Sequence, residues 1–214
     1  MSSFPDIPPD FHASKPLGTN DPALRRGWFY RAVAPDPDKP VLAVGAPFAR
    51  RWFPNVIDGT LSGASATYPL ASFGLVIVHS TLGGCPSLVG ALRAARDVLA
   101  PAGVVVLSGY NRLRPEEGIA SAAEIPRATL WGYRHAARTA GFGDVELFVA
   151  RPTLETFASA FSTARASARA FYRFELASRR ASGNASWTRV REWMTTCGVA
   201  AWAESAFVVV ARKC

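Results

Sequence analysis

One histidine stands where a catalytic base could work. His79 ends a buried apolar run, and a histidine at the end of a strand is well placed as a general base. The alternative is a partly buried histidine with one satisfied nitrogen. Tyr110 and Asn111 follow a second apolar run, where they could contact a ligand or form a turn. His12 and His135 give no metal-ligand spacing, so we expect no metal site.

Three arginines, Arg165, Arg169 and Arg173, recur every fourth residue within a segment that we predict as a long helix. Such a stripe can bind anions or an acidic partner, and the alternative is a solvated helix face. The chain has a net charge of +8, and residues 151–214 carry ten bases and four acids. This excess favours an acidic protein surface or an anionic membrane surface as partner. We do not expect nucleic acid.

These residues are positioned by a unit that runs from Ala71 to Tyr110. Two valine-rich runs, Gly74 to His79 and Val104 to Ser108, read as strands buried on both faces. Between them, apolar residues spaced by three and four predict a helix. A strand, a helix and a strand within 40 residues predict a parallel sheet with a right-handed crossover.

The rest of the chain continues the alternation of strands and helices, which predicts a three-layer α/β sandwich with a mostly parallel, Rossmann-like sheet. We predict strands at Val41 to Gly45, Asn55 to Asp58, Asp144 to Ala150 and Ala206 to Ala211. We predict helices at Ala128 to Ala140, Leu154 to about Arg180 and Trp187 to Cys197. We expect Gly27 to Val33 to be a short strand or an edge segment, and Pro47 to Phe53 to form one short helical turn.

A length of 214 residues suits one domain with a tail or an insertion. We predict a proline-rich arm at residues 1–40, which hold eight of the sixteen prolines, and a domain at 41–214 with a helical insertion at about 152–198. Three scattered cysteines suggest no disulfide framework, so we expect an intracellular, reducing compartment, the cytoplasm or an organelle matrix. No apolar run reaches the ~18 residues that a membrane helix needs.

From about Val41 to Lys213 this order resembles the class I S-adenosylmethionine-dependent methyltransferases. ATYPLASFGLVIVHSTL and ALRAARDVLAPAGVVVLSG look like that family's fourth strand, the following helix and the fifth strand. GYRHAARTAGFGDVELFVA looks like the next helix and strand. SAFVVVARK looks like the closing strand, which in the family inserts antiparallel beside the fifth. The resemblance implies the fold, and a cofactor at the carboxyl ends of the first strands.

The cofactor positions depart from the family pattern. Gly45 is all that matches a Gly-x-Gly-x-Gly loop, and Pro47 and Phe48 follow where the backbone should approach the cofactor. Asp58 matches the acid that binds ribose hydroxyls, but it comes too soon after Gly45 for a full helix between the two strands. Gly74 stands where the family often has an acid.

The strands are retained while the cofactor positions change, so we expect a methyltransferase-like pseudoenzyme without a cofactor. Its function would be that of an accessory subunit or interaction module in a larger assembly. Residues 1–40 and the 152–198 helices would contact protein subunits, and an anionic membrane surface is a second expected partner. The alternative is an active S-adenosylmethionine-dependent methyltransferase that acts on a small molecule, with cofactor contacts at Gly45 and Asp58 and a base at His79.

Overall fold

The computed structural model describes residues 29–36, 38–113, 125–151, 154, 159–164, 172, 185–197 and 199–214. Its strands are β1 (Val41–Val44), β2 (Val56–Asp58), β3 (Phe73–His79), β4 (Leu99–Asn111), β5 (Arg127–Ala128), β6 (Asp144–Arg151), β7 (Ser159–Ser162) and β8 (Ala206–Arg212). Its helices are α1 (29–33), α2 (Ala64–Thr67), α3 (Leu88–Val98), α4 (Leu130–Thr139) and α5 (Ala185–Cys197), with short 3₁₀ helices at Pro47–Arg51 and Ala200–Ala203.

The predicted strand–helix–strand unit is confirmed as β3, α3 and β4. The side chain of Ser87 caps α3 by accepting a hydrogen bond from the Gly90 amide at 3.1 Å. Leu92, Ala95 and Val98 form the buried face of α3. Helix α4 begins in the same way, with Thr129 accepting from the Gly132 amide. Both crossover helices therefore start from a local cap and dock through an apolar stripe.

The strands form one mixed sheet in the order β2-β1-β3-β4-β8-β6-β7, with β5 paired to β4. Strand β1 is parallel to both β2 and β3, and β3 is parallel to β4. Strand β8 runs antiparallel to both of its neighbours, β4 and β6, as predicted for the last strand. The carboxyl ends of β1, β2, β3 and β4 therefore share one edge, which we call the carboxyl edge.

Alternate residues of the buried strands point into two separate cores, one on each face of the sheet. On β4, Val105 and Leu107 join the core beneath α2, α3 and α4. Val104 and Val106 join the opposite core, which is covered by α1 and the first 3₁₀ helix. Each fully buried side chain of this size contributes about 1.5–3 kcal/mol. The sheet is thus the middle layer of three, which confirms the predicted fold class.

The prediction of a strand or edge segment at Gly27 to Val33 is wrong for the described part, because residues 29–33 are helical. Phe29, Tyr30 and Val33 are almost fully buried against the sheet. Phe29 meets Phe148 of β6 edge-on, with ring centroids 5.2 Å apart. This part of the predicted proline-rich arm therefore covers one face of the sheet. The domain boundary at residue 40 stays a prediction.

The long helix predicted from Leu154 is also wrong at its start. Residues Ser159–Ser162 form β7, which pairs antiparallel with β6 through Phe148↔Ser162 and Val149↔Phe161. The second predicted helix of this insertion is confirmed as α5. Arg165, Arg169 and Arg173 lie outside the described residues, as do His12 and residues 1–28.

The connection from β1 to β2 is short, as predicted. A single 3₁₀ helix, Pro47–Arg51, takes the place of a crossover α-helix. Among the helices that the structure describes, none has both the length and the apolar character needed to cross a membrane.

Candidate functional site

Gly45 lies at the carboxyl end of β1 with a left-handed backbone, φ 65°. A Cβ atom at this position would come within 2.7 Å of the His79 carbonyl oxygen and 2.9 Å of Thr81 Cγ2. The space that a side chain would need is already filled by the loop after β3. Glycine is therefore required here by the protein's own packing.

Phe48 lies above the carboxyl edge, on the 3₁₀ helix that follows β1. Its ring stacks on Tyr30 of α1, with centroids 5.4 Å apart and planes at 25°. It also meets His79 edge-on at 5.2 Å. Aromatic pairs in these geometries contribute about 0.5–1.5 kcal/mol each beyond their buried area. An aromatic cluster thus covers the ends of β1 and β3.

Asp58 ends β2, where its register partner on β1 is Ala43. Its Oδ2 lies 2.6 Å from Nε of Arg50, so the carboxylate is paired within the protein. Both side chains are largely exposed, at 45% for Asp58 and 66% for Arg50. Exposed ion pairs add little to stability.

His79 belongs to a polar cluster with two hydroxyl groups. Its Nδ1 lies 3.3 Å from Ser108 Oγ and 3.5 Å from the Tyr30 hydroxyl, and those two oxygens are 3.1 Å apart. Ser108 and Tyr30 are buried, whereas His79 is half-buried. The cluster lies within the core between the sheet and α1 because residues 79 and 108 both face that side. It can hold or pass a proton between an imidazole and two hydroxyls.

Sequence reasoning found His79 but missed Tyr30 and Ser108. Ser108 carries a weak signal, since it is the polar residue that ends the run Val104 to Leu107. Tyr30 carries no local signal, because it lies 49 residues from His79 and reaches it only when α1 packs on the sheet.

Ser80, directly after His79, has an unusual backbone for a residue with a side chain. Its φ is 52°, in the left-handed region. Its Oγ is buried and has no hydrogen-bond partner within the described part of the chain. Strain and an unpaired polar atom are therefore concentrated at the carboxyl end of β3.

Asn111, at the end of β4, is a structural cross-link. Its Nδ2 donates to the carbonyl oxygens of Trp202 and Glu204 at 2.7 and 2.8 Å, and its Oδ1 accepts from the Leu113 amide at 3.0 Å. Both donors of the amide are therefore used within the protein, and the residue is 1% exposed. Tyr110 is also buried, in the core beneath α1.

A charged group that the sequence did not reveal lies at the same edge. Glu204 is 8% exposed and accepts a hydrogen bond from the Tyr172 hydroxyl at 2.8 Å. Its second oxygen lies 3.4 Å from Nε of Arg151, at the end of β6. The buried carboxylate is thus paired, as burial of a charge requires.

No group of three or more potential metal ligands occurs among the described residues. His135 stacks on Trp131 of α4, with centroids 5.0 Å apart.

No protein-family model matches the chain, and no curated protein matches its sequence. Solved structures do match. A SAM-dependent methyltransferase from Archaeoglobus fulgidus is 12% identical, with a TM-score of 0.53, and the match covers 89% of this chain and 94% of that one. The chain has the class I S-adenosylmethionine-dependent methyltransferase fold.

Two further structures match this methyltransferase fold. A SAM-dependent methyltransferase from Thermotoga maritima is 12% identical, with a TM-score of 0.52, and the match covers 90% of this chain and 89% of the other. A phosphoethanolamine N-methyltransferase 2 from Haemonchus contortus, in complex with S-adenosyl-L-methionine, is 13% identical, with a TM-score of 0.50. That match covers 88% of this chain and 52% of the other. Likeness at these identities establishes the fold and leaves the activity to the residues of the site.

Proposed function

We propose that this chain is a non-catalytic member of the methyltransferase fold that serves as an accessory subunit or interaction module in a larger assembly. The observation that carries the proposal is that the protein's own residues fill the carboxyl edge, where this fold binds its cofactor. Phe48 lies over Tyr30 and His79 at that edge, and the close approach at Gly45 is taken by the His79 carbonyl oxygen.

Two features of the described residues support the absence of S-adenosylmethionine. A cofactor would need room against the backbone after β1, where Pro47 removes an amide donor and Phe48 adds a ring. Asp58 lies at the end of β2, where a carboxylate would bind the ribose hydroxyls, in an exposed ion pair with Arg50 that a ligand would have to displace. We therefore expect no cofactor.

Isothermal titration with S-adenosylmethionine and with S-adenosylhomocysteine tests the absence of a cofactor. We expect no binding heat under conditions that would detect a Kd of about 100 μM, which corresponds to roughly 5.5 kcal/mol. The same titration is made with Phe48→Ala, because this substitution removes the ring that covers the edge. Micromolar binding by the unaltered protein would overturn the proposal.

The proposed contact with protein subunits rests on the positive charge of residues 151–214 and on the proline-rich arm, residues 1–40. Six of the eight net positive charges belong to residues 151–214, which suits an acidic partner surface. We propose that residues 1–40 and the 152–198 region, with Arg165, Arg169 and Arg173, contact protein subunits. All three cysteines are free, in keeping with the proposed intracellular, reducing compartment.

The native mass of the protein, isolated from its source without overexpression, tests the subunit role. We expect it to migrate with a larger complex, and we expect deletion of residues 1–24 to release it. Migration as a free species of 22.9 kDa would contradict the subunit role while leaving the cofactor result untouched.

A second candidate function is an active S-adenosylmethionine-dependent methyltransferase acting on a small molecule. The observation that favours it is the His79 cluster, which places an imidazole and two hydroxyls at the carboxyl end of β3. In that case Gly45 and Asp58 would contact the cofactor and His79 would be the base. Micromolar cofactor binding that is lost in Asp58→Asn would select this alternative.

A further inference from the structure

Most of the large exposed apolar side chains come from a few segments that hydrogen bonds join. Eight such residues are exposed among the described residues, and six of them come from the turn after β4, from α4 and from the stretch 190–202. We call these six the tryptophan-rich surface: Leu113, Trp131, Val190, Trp193, Val199 and Trp202. The other two, Ile57 and Leu70, lie on β2 and in the loop before β3.

Hydrogen bonds tie the segments of this surface together. The Asn111 side chain bonds both the Leu113 amide and the Trp202 carbonyl oxygen. The Arg112 amide donates to the Ala128 carbonyl oxygen, which brings the turn after β4 next to the start of α4. The Val199 amide donates to Met194, so the 3₁₀ helix is held against the end of α5. The six side chains therefore stand on one connected framework.

The most exposed members protrude rather than line a groove. Leu113, Trp131 and Trp193 are 66%, 63% and 64% exposed. A protein partner would need a matching pocket for each protruding side chain. A fluid lipid surface needs none, and tryptophan prefers the layer where acyl chains meet headgroups because its ring is apolar and its indole N–H is polar.

Among the described residues, the charge around these side chains is positive. Arg112 and Arg189 are exposed in the same segments. Of the acids in the described part of these segments and just after them, Glu204 is buried against Arg151 and Glu192 is half-buried. Basic side chains beside interfacial aromatic residues complement anionic headgroups.

We infer that the tryptophan-rich surface docks this protein on the surface of an anionic lipid bilayer. The tryptophan rings enter the headgroup layer and the arginines pair with lipid phosphates. The inference goes beyond the proposed subunit role and does not depend on the absence of a cofactor, so each can fail without the other.

Co-sedimentation with vesicles tests the inference. The probes are vesicles of phosphatidylcholine alone and vesicles with about 30% phosphatidylserine, which carry the negative surface potential of a cytoplasmic leaflet. We expect the full chain to partition at least about tenfold better onto the anionic vesicles, and we expect salt to weaken binding by screening. Equal partition onto both kinds of vesicle, or none, would overturn the inference.

Variants assign the binding to the surface. Trp131→Ala, Trp193→Ala and Trp202→Ala together should reduce partition at least about tenfold, a change of about 1.4 kcal/mol. The matched control, Ile57→Ala with Leu70→Ala, removes two exposed apolar side chains elsewhere and should bind as the unaltered protein does. Unchanged binding by the triple variant, or an equal loss in the control, would overturn the assignment.

Two measurements keep the inference testable if the triple variant folds poorly. Brominated phosphatidylcholine in the anionic vesicles should quench the tryptophan emission of the unaltered protein, and no quenching would refute membrane insertion. Light scattering across a concentration series reports self-association. A dimer that forms in place of vesicle binding, and that the tryptophan substitutions abolish, would show that a second copy covers this surface and would overturn the lipid inference.

Discussion

Gly45 offers the sharpest check on the way the carboxyl edge is built, because the chain contains a matched control. Gly45 and Gly63 have nearly the same left-handed backbone, with φ of 65° and 68°. A Cβ at Gly63 would meet no atom within 4 Å, whereas a Cβ at Gly45 would meet the His79 carbonyl oxygen at 2.7 Å. Alanine at the two positions therefore carries the same backbone strain but a different steric conflict.

The expected losses of stability follow from the backbone strain and from the steric conflict. Gly63→Ala should lower the free energy of unfolding by about 1–2 kcal/mol, the cost of a left-handed backbone for a residue with a Cβ. Gly45→Ala should lose that amount and a further ~1–3 kcal/mol, because a backbone oxygen must move to admit the methyl group. The difference between the losses in Gly45→Ala and Gly63→Ala measures the contact between the loops after β1 and β3.

Urea unfolding, followed by circular dichroism at a fixed pH, gives both values from the midpoint and the slope. Equal losses in Gly45→Ala and Gly63→Ala would refute the argument. They would mean that the space beside Gly45 is open and that a ligand could approach the backbone there. Such a result would also weaken the proposal that this edge is closed to the cofactor.

Three further outcomes are expected. Asn111→Ala should lose about 2–4 kcal/mol by leaving buried carbonyl oxygens unpaired, whereas Asn55→Ala, whose bond to Asp38 is exposed, should lose less than about 1 kcal/mol in the same unfolding assay. Burial raises the pKa of Tyr133, so the native state favours the neutral hydroxyl. The difference in free energy of unfolding between the unaltered protein and Tyr133→Phe should be constant below about pH 10. It should narrow above that pH, because the tyrosine ionises in the unfolded chain. Burial also raises the pKa of the Cys85 thiol, so iodoacetamide should alkylate Cys85 more slowly than the exposed Cys197, as read by peptide mass spectrometry; equal rates would contradict this.

The local sequence pattern was sufficient to predict the strands of the central sheet. The runs at β1, β3, β4 and β8 are continuous and apolar because each is covered on both faces, so their composition alone marks them as buried strands. The caps of α3 and α4 and the short connection after β1 were also encoded within a few residues.

Local pattern failed where another element decides the conformation. Residues 29–33 have an aromatic-rich composition that suits a strand, yet they are helical because Phe29, Tyr30 and Val33 then share one face against the sheet. Ser159–Ser162 have spacing that suits a helix, yet they extend because β6 offers an edge for pairing.

The sequence by itself determined the fold class and marked Gly45, Asp58 and His79 as the positions to examine at the carboxyl edge. Only the tertiary structure decided what surrounds them: Arg50 on Asp58, Phe48 and Tyr30 over His79, and the His79 carbonyl oxygen beside Gly45. The physical reason is distance along the chain. A strand or a cap is specified by neighbours within a few residues, whereas Tyr30 and Ser108 lie 78 residues apart and meet only when a helix and a strand pack together.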